Sequence, residues 1–510
     1  GNGGIFAYGG PLAVSKAIQL DNNSTAVFGG QHAMTFTGTV TKASGNNSQT
    51  FSNNLEGGAL LTINGAFANS TGGTTAATQT INFRGFGSTL WNGAMGQNAA
   101  AGGTIQLNFA IAPDAYFEMA GGLNTYTGDT ILEQGTLRLS KQLGSTKRLQ
   151  LNGGRIETTV SGGISYAGTD AAGGVIFNGN PVTFGGSQPF AFTGTSVNWG
   201  TNRWMFNELT GGAQLTFGAF NTSNDTNNRI FVTGGPGTTN FSGVVSPGTA
   251  SGGQIYHRGT GQLNFTAANT ITVLIMERGT ATISGASGSF NSLNTAVGSG
   301  LVLRSGAAVT IDNSGTSLPT RLGDNSAFSM EGGTFNYIAA GGGTNESTGI
   351  ARFYGNAKIT QTGGASTLTF SSLDYALFTD PRSGLDVSGT SDLGGTRKVV
   401  FTGLPSGFQP KFLVGDGKFG AYSSTNGIVE FTGYSAAASV GASAFGDVLR
   451  IDNAFGADDL AVDRTLRGLA ITDTAARDVG ATQAATLTVS SGGILAAGGV
   501  THVLSVPRLN

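Results

Sequence analysis

Any chemistry in this 510-residue chain would have to start from three histidines and 28 acidic side chains. His32, His257 and His502 lie far apart in sequence. A general base or a metal ligand needs partners within hydrogen-bond reach, so each histidine reads as a packing or surface residue. Asp458 and Asp459 are adjacent acids. On a strand they would point to opposite faces, and in a loop they read as a solvated turn. Polysaccharide cleavage needs carboxylates that converge, often with Ca²⁺ or a basic residue. The stretch Asn221-Thr222-Ser223-Asn224-Asp225-Thr226-Asn227-Asn228 offers oxygen ligands but a single carboxylate. Its spacing fits neither an EF-hand loop nor a calcium-binding nonapeptide, and it reads as a polar loop. Gly417-Lys418 runs into Phe419, where a phosphate loop needs Ser or Thr. Trp199 and Trp204 flank Arg203 and could form a sugar-stacking platform; the commoner arrangement is one packed indole and one at a loop base. The expectation is a chain that is not an enzyme and carries no metal or cofactor.

Composition sets what could position such residues. Single cores stop growing at about 250–300 residues, so the chain has several domains or grows by repetition. Glycine contributes 86 residues, well above ordinary usage, with no strict Gly-X-Y period that would indicate collagen. The 32 Phe residues and a net charge of −2 argue against disorder. Lys and Arg (26) balance Asp and Glu (28) without a basic run, which sets nucleic acid aside as a partner. With no cysteine there are no disulfides or Cys-ligated metals, a pattern that suits a chain exported unfolded. No run approaches 18 apolar residues, so no membrane insertion by a helix is expected.

Period-two alternation runs through the chain in short triplets such as Leu149-Gln150-Leu151, Leu215-Thr216-Phe217, Leu263-Asn264-Phe265 and Leu368-Thr369-Phe370. Two apolar side chains point one way and a polar one the other, which predicts half-buried strands. Leu149-Gln150-Leu151 runs into Asn152-Gly153-Gly154, residues expected where the chain turns a corner. Repetition then chooses among all-β architectures. Leu123-Asn124-Thr125-Tyr126-Thr127-Gly128-Asp129-Thr130 leads to Gly135-Thr136-Leu137-Arg138-Leu139, and a looser copy runs from Ala268-Asn269-Thr270 to Gly279-Thr280-Ala281-Thr282-Ile283. A second motif, Leu143-Gly144 to Leu151-Asn152-Gly153-Gly154, returns as Leu322-Gly323 to Met330-Glu331-Gly332-Gly333. The first motif recurs from 135 to 279 and the second from 143 to 322, so the second block holds about 35 extra residues. Asn124, Gly128, Gly135, Asn269 and Gly279 are the expected corner residues of the repeat.

Asn-Thr-Tyr-Thr-Gly-Asp-Thr followed by Gly-Thr-Leu-Arg-Leu resembles the autotransporter-associated β-strand repeat of large exported surface proteins from Gram-negative bacteria. That resemblance implies a right-handed parallel β-helix, extracellular or at the cell surface. The expected fold is therefore an all-β solenoid, elongated and with loop insertions, in three parts: coils over 1–120, two degenerate blocks (about 121–156 and 261–337) within 121–345, and coils over 346–510. Gly1-Asn2-Gly3-Gly4 opens without Met or a basic-then-apolar run, so no signal peptide is expected in these residues, and no membrane barrel is expected in the stretch before residue 510. The expectation is a processed product or a piece of a longer parent chain. The terminal strand 501–510, with Val503, Leu504, Val506 and Leu509, is the candidate assembly strand. Expected partners are other copies or adjoining parts of the parent, end to end, with surface glycans as an alternative, in a structural or adhesive role or a carbohydrate-active one.

Overall fold

A computed structural model describes the chain apart from residues 1, 22, 43–47, 70–77, 97–103, 123, 145, 172, 375–382, 416–417, 438, 453–461, 480–484, 498, 505–507 and 510. Asp458, Asp459, Leu123, Gly417 and Val506 therefore lie outside the described residues. Two compact units are present. The first comprises residues 1–272 with 279–281, and the second 273–278 with 282–510.

Alternation in the sequence becomes alternation in burial. Gln49–Leu55 and Ile105–Ile111 each bury every second residue, and the residues between them face outward. Such strands pair in parallel, in register, with the coil before and the coil after. In the first unit an 11-stranded wall runs from Gly3–Ala7 through Gln79–Gly85 and Thr130–Gln134 to Val245–Ser246. At the usual spacing between parallel strands this wall is about 48 Å along the ladder. A second wall includes Tyr116–Met119, Thr136–Leu139, Gly154–Thr158 and Arg203–Asn207. A third carries Phe190–Phe192, Gln214–Phe217, Thr238–Phe241 and Gln262–Phe265. The fold is a parallel β-solenoid.

Coil length is not constant. Nineteen residues separate Thr130 from its register partner Leu149, and thirty-two separate Gln49 from Ile81. The extra residues in the second repeat block are largely one whole coil. Its strands Leu301–Arg304 and Ala307–Asp312 pair in parallel with Phe328–Glu331 and Thr334–Ala339.

In-register stacking puts like on like. Phe192, Phe217, Phe241 and Phe265 are register partners with ring centroids 5.5, 5.5 and 5.1 Å apart. Phe51, Phe83 and Phe109 form a second column, and Phe370 sits over Phe401 at 5.1 Å in the second unit. Offset aromatic pairs add to plain burial, so each column is a spine. At one corner of the first unit the coils touch backbone to backbone. A Cβ added at Gly65 would collide with the carbonyl oxygen of Gly38; one at Gly93 would strike Gly65, and one at Gly121 would strike Gly93.

In the second unit the strands depart from the parallel rule over residues 407–430. Gly407–Leu413 pairs in parallel with Ser383–Asp386, but then turns into an antiparallel meander with Phe419–Ser423 and Gly427–Glu430. Too few residues join these strands for a crossover, and a short connection permits only a hairpin. A parallel four-stranded sheet follows, made of Val448–Ile451, Arg464–Ile471, Thr486–Ala496 and Arg508–Leu509. Among the described residues no helix is long and apolar enough to cross a membrane.

The aromatic spine yields a first prediction. Phe241→Ala removes a fully buried ring from the middle of its column and should destabilise the first unit by about 3–5 kcal/mol. Phe241→Leu keeps most of the volume and should cost less than half as much. Denaturant melts followed by near-ultraviolet circular dichroism would check both; equal melts for all three proteins would refute the spine.

Candidate functional site

The repeat motif folds into a corner in which each side chain has a defined job. Asn124 is buried; its Oδ1 accepts the Met95 N–H at 3.2 Å from the coil before, and its amide faces the Gln142 carbonyl at 3.5 Å in the coil after. Asn269 repeats the first contact, accepting the Val245 N–H at 2.9 Å from the coil before, and its amide donates within its own corner to the Ala267 carbonyl at 2.7 Å. Tyr126 is buried with its hydroxyl 2.5 Å from Thr130 Oγ1, and burial pushes the phenol well above its ordinary pKa. Asp129 accepts from the Gln150 amide in the next coil. Gly128 lies so close to the Ile105 carbonyl that a Cβ would clash, whereas Gly135 and Gly279 have φ of 79° and 68°. L side chains rarely adopt such angles. This cluster ties neighbouring coils together and presents no reactive group to solvent.

The other candidates are equally committed. His257 is buried, with Nε2 3.1 Å from the Gly261 carbonyl and Nδ1 2.9 Å from Thr233 Oγ1. A carbonyl only accepts, so Nε2 carries the proton and the neutral ring takes the Thr233 hydroxyl proton on Nδ1. Burial lowers the pKa of His257. His502 accepts the Arg477 N–H on Nδ1 and donates from Nε2 to the Ala497 carbonyl. His32 is half-buried. In the Asn221–Asn228 loop, Arg229 holds the Asp225 carboxylate at 2.7 Å, and the Asn227 amides and Ser223 hydroxyl complete its shell. Arg229, first among these, keeps the Asp225 pKa well below the usual carboxylate range. Among the described residues no group of three or more His, Cys, Asp or Glu is placed to hold a metal. Arg203 donates to the carbonyls of Trp199 and Gly179, fastening its turn rather than facing a ligand. Trp204 is 37% exposed and is paired with Arg258, whose guanidinium lies 5.0 Å from the ring centroid.

Three features escape a linear reading. Buried Asn53 and Asn207 are equivalent corners: each amide donates to the Ser or Thr pair one coil on, and each Oδ1 takes the N–H two residues later. The signal was Asn-x-Leu followed by Gly-x-Gly-Ser/Thr-Thr, at 53–55 with 85–89 and at 207–209 with 235–239. On the outer face Arg138 stands between its register partners Glu118 and Glu157, 3.4 Å from each. Half-exposed pairs of this kind contribute about 0–1 kcal/mol.

The third feature lies in the second unit, where Arg321 and Glu346 are both fully buried. Arg321 donates from Nε to Asn313 Oδ1 (2.7 Å), from Nη1 to the Gly288 carbonyl (2.7 Å), and from Nη2 to the carbonyls of Gly285 (2.8 Å) and Thr316 (3.0 Å). Glu346 accepts the backbone N–H groups of Leu322 at 2.8 Å and Arg321 at 3.2 Å. Neither residue belongs to a motif, and the contacts reach as far as 36 positions along the sequence.

Of the candidate assembly strand, Val503 and Leu504 pair with Asp478 and Val479, and Leu509 pairs with Leu487. Leu504 packs partly on a core cluster, while Val503 and Leu509 are about half exposed.

Two stability predictions follow. Asn124→Ala leaves the Met95 N–H buried without an acceptor and should cost about 1–3 kcal/mol in denaturant melts, with a proteolytic cut near residue 95 appearing first. The lowered pKa of His257 means that the unfolded chain binds a proton more readily than the folded one. Stability should therefore fall as pH drops below about 6.5. His257→Gln, which keeps a donor toward Gly261, should reduce that acid-side loss; identical pH profiles of the melting midpoint would count against this account. No family model, curated protein or solved structure matches this chain, so its likeness to the autotransporter-associated repeat rests on the motif residues themselves.

Proposed function

We propose that this chain is a structural segment of an exported bacterial surface protein, a stalk or fibre element that associates end to end and performs no catalytic step. The observation that carries the reading is where the polar side chains go. Asn124, Asn269, Asn53, Asn207 and His257 all bond from one coil to the next or within their own corner, so the chemistry available to the sequence is spent on holding coils in register. A stack in which each coil contacts only its neighbours suits carrying load or setting a spacing. The exported, cell-surface setting rests on the motif resemblance, the absence of cysteine and the low charge.

Association through strand edges is supported at two places. Gly3–Ala7 pairs with Thr25–Gly30; its residues Ile5 and Phe6 are 37% and 54% exposed, and Tyr8 just beyond it is 69% exposed. Phe6 and Tyr8 are stacked at 6.1 Å. Val503 and Leu509 are the corresponding exposed apolar residues of the C-terminal strands. An added strand gains backbone hydrogen bonds at an edge and buries such side chains. Heterologous contacts of this type build open filaments.

Sedimentation and electron microscopy of the isolated chain test the reading. It should form linear assemblies whose length grows with concentration, and Leu509→Asp with Val503→Lys, or Phe6→Lys, should shorten them. A monomer at all concentrations would overturn end-to-end association. Release of oligosaccharides from pectin or alginate would overturn the non-catalytic assignment.

A further inference from the structure

We propose that the parallel C-terminal sheet is clamped by one face onto the meander of residues 407–430, and that this clamp opens as a joint while the strands on either side of it stay folded. The inference goes beyond the assembly reading and holds whether or not copies associate.

Successive residues of a strand point to opposite faces, and in this sheet both faces are apolar. Leu449, Leu469, Ile471 and Leu487 point to one side and form the sheet's own buried core. Val448, Ala470 and Leu495 alternate with them and meet Phe408 and Phe419 of the meander on the other side. Parallel sheets are commonly covered on both faces, and here the meander is the second cover.

The fit at the joint needs bare backbone. Gly468 and Gly493 are register partners on the face toward the meander. A Cβ on Gly468 would stand 2.9 Å from the Phe408 ring, and one on Gly493 would stand 2.8 Å from Pro410 Cβ and 3.3 Å from the Phe419 ring. The Phe408 and Phe419 rings meet edge to face at 5.4 Å, and the Arg467 guanidinium lies 5.3 Å from the Phe408 centroid.

The backbone ladders stop on each side of this contact. Gly407–Leu413 pairs with Ser383–Asp386 and Phe419–Ser423, whereas the C-terminal strands pair with one another in a separate sheet. Each side is also fastened without the other. The Tyr422 hydroxyl accepts the Phe401 N–H at 2.9 Å and donates to the Phe401 carbonyl at 2.6 Å, which ties the meander to the preceding wall. The C-terminal sheet keeps its own core. Parting the joint therefore gives up apolar and ring contacts but leaves both hydrogen-bonded ladders intact. Openings that sacrifice least burial and fewest hydrogen bonds come first. Under tension the chain extends at this joint before a coil unravels.

The chain has no cysteine, so single thiols placed in the full chain report opening site by site. Ala470 is fully buried against the meander, Val489 lies in the sheet's core and Val399 in the wall before the meander. In native buffer Ala470→Cys should react with a thiol reagent about tenfold or more faster than Val489→Cys or Val399→Cys. Adding Gly493→Val, which pushes a side chain against Pro410 and Phe419, should speed the reaction at 470 by about tenfold again and leave the other two sites unchanged. Equal rates at the three sites, or acceleration of all three together by Gly493→Val, overturns the proposal. Should Gly493→Val fail to fold, the three single-cysteine chains decide alone: a faster site at 470 supports the joint, and a common rate removes it.

Discussion

The in-register parallel ladder is the constraint from which the rest of this structure follows. A residue's closest non-bonded neighbour is the one at the same rung of the next coil, about 4.8 Å away, not a residue nearby in sequence. Anything costly at one rung is then costly at every rung it touches. Phe over Phe, glycine over glycine carbonyl and Arg138 between two glutamates are three outcomes of that rule. The ladder also removes the usual outlet for buried polar groups, since water does not reach the inside of a packed coil. Corner asparagines solve this by serving as both acceptor and donor between successive backbones, which an amide can do and a carboxylate cannot.

What was legible in the sequence was whatever repeats at short range. Leu149-Gln150-Leu151 and Leu215-Thr216-Phe217 alternate, and they are strands with two inward residues each. The all-β solenoid could be read because glycine corners and a recurring motif pointed the same way. Illegible were the relations that depend on coil length. Because a coil can take nineteen residues or thirty-two, the partner of a given residue has no fixed offset. Arg321 meets Gly285 and Gly288 across such a span, and nothing in the local composition announces it. The antiparallel meander of residues 407–430 was hidden for a different reason. A strand looks the same whichever direction its neighbour runs, and only the short connection from Leu413 to Phe419 sets the pairing.

Buried ionisable groups are rare in this chain and are treated unequally. Arg138 and Arg155 sit on the outer face, where water and partners share the load. Arg321 instead gives every nitrogen of its head a protein oxygen, so its charge is carried by carbonyl dipoles. A cation compensated in this way fixes a loop through its carbonyls, while Glu346 secures the same turn by accepting two of its backbone N–H groups.

The glycine column at residues 38, 65, 93 and 121 also bears on how such a chain lengthens. Because carbonyl and α-carbon nest at that corner, one coil is interchangeable with another only if both carry the glycine there. A duplicated stretch of gene that spans corner to corner can be spliced between any two such coils without disturbing either neighbour. A stretch that is not a whole coil long puts a side chain at the corner, against a backbone oxygen. The corner is in effect a joint of standard size, and it allows the remaining sequence to drift while the number of coils changes.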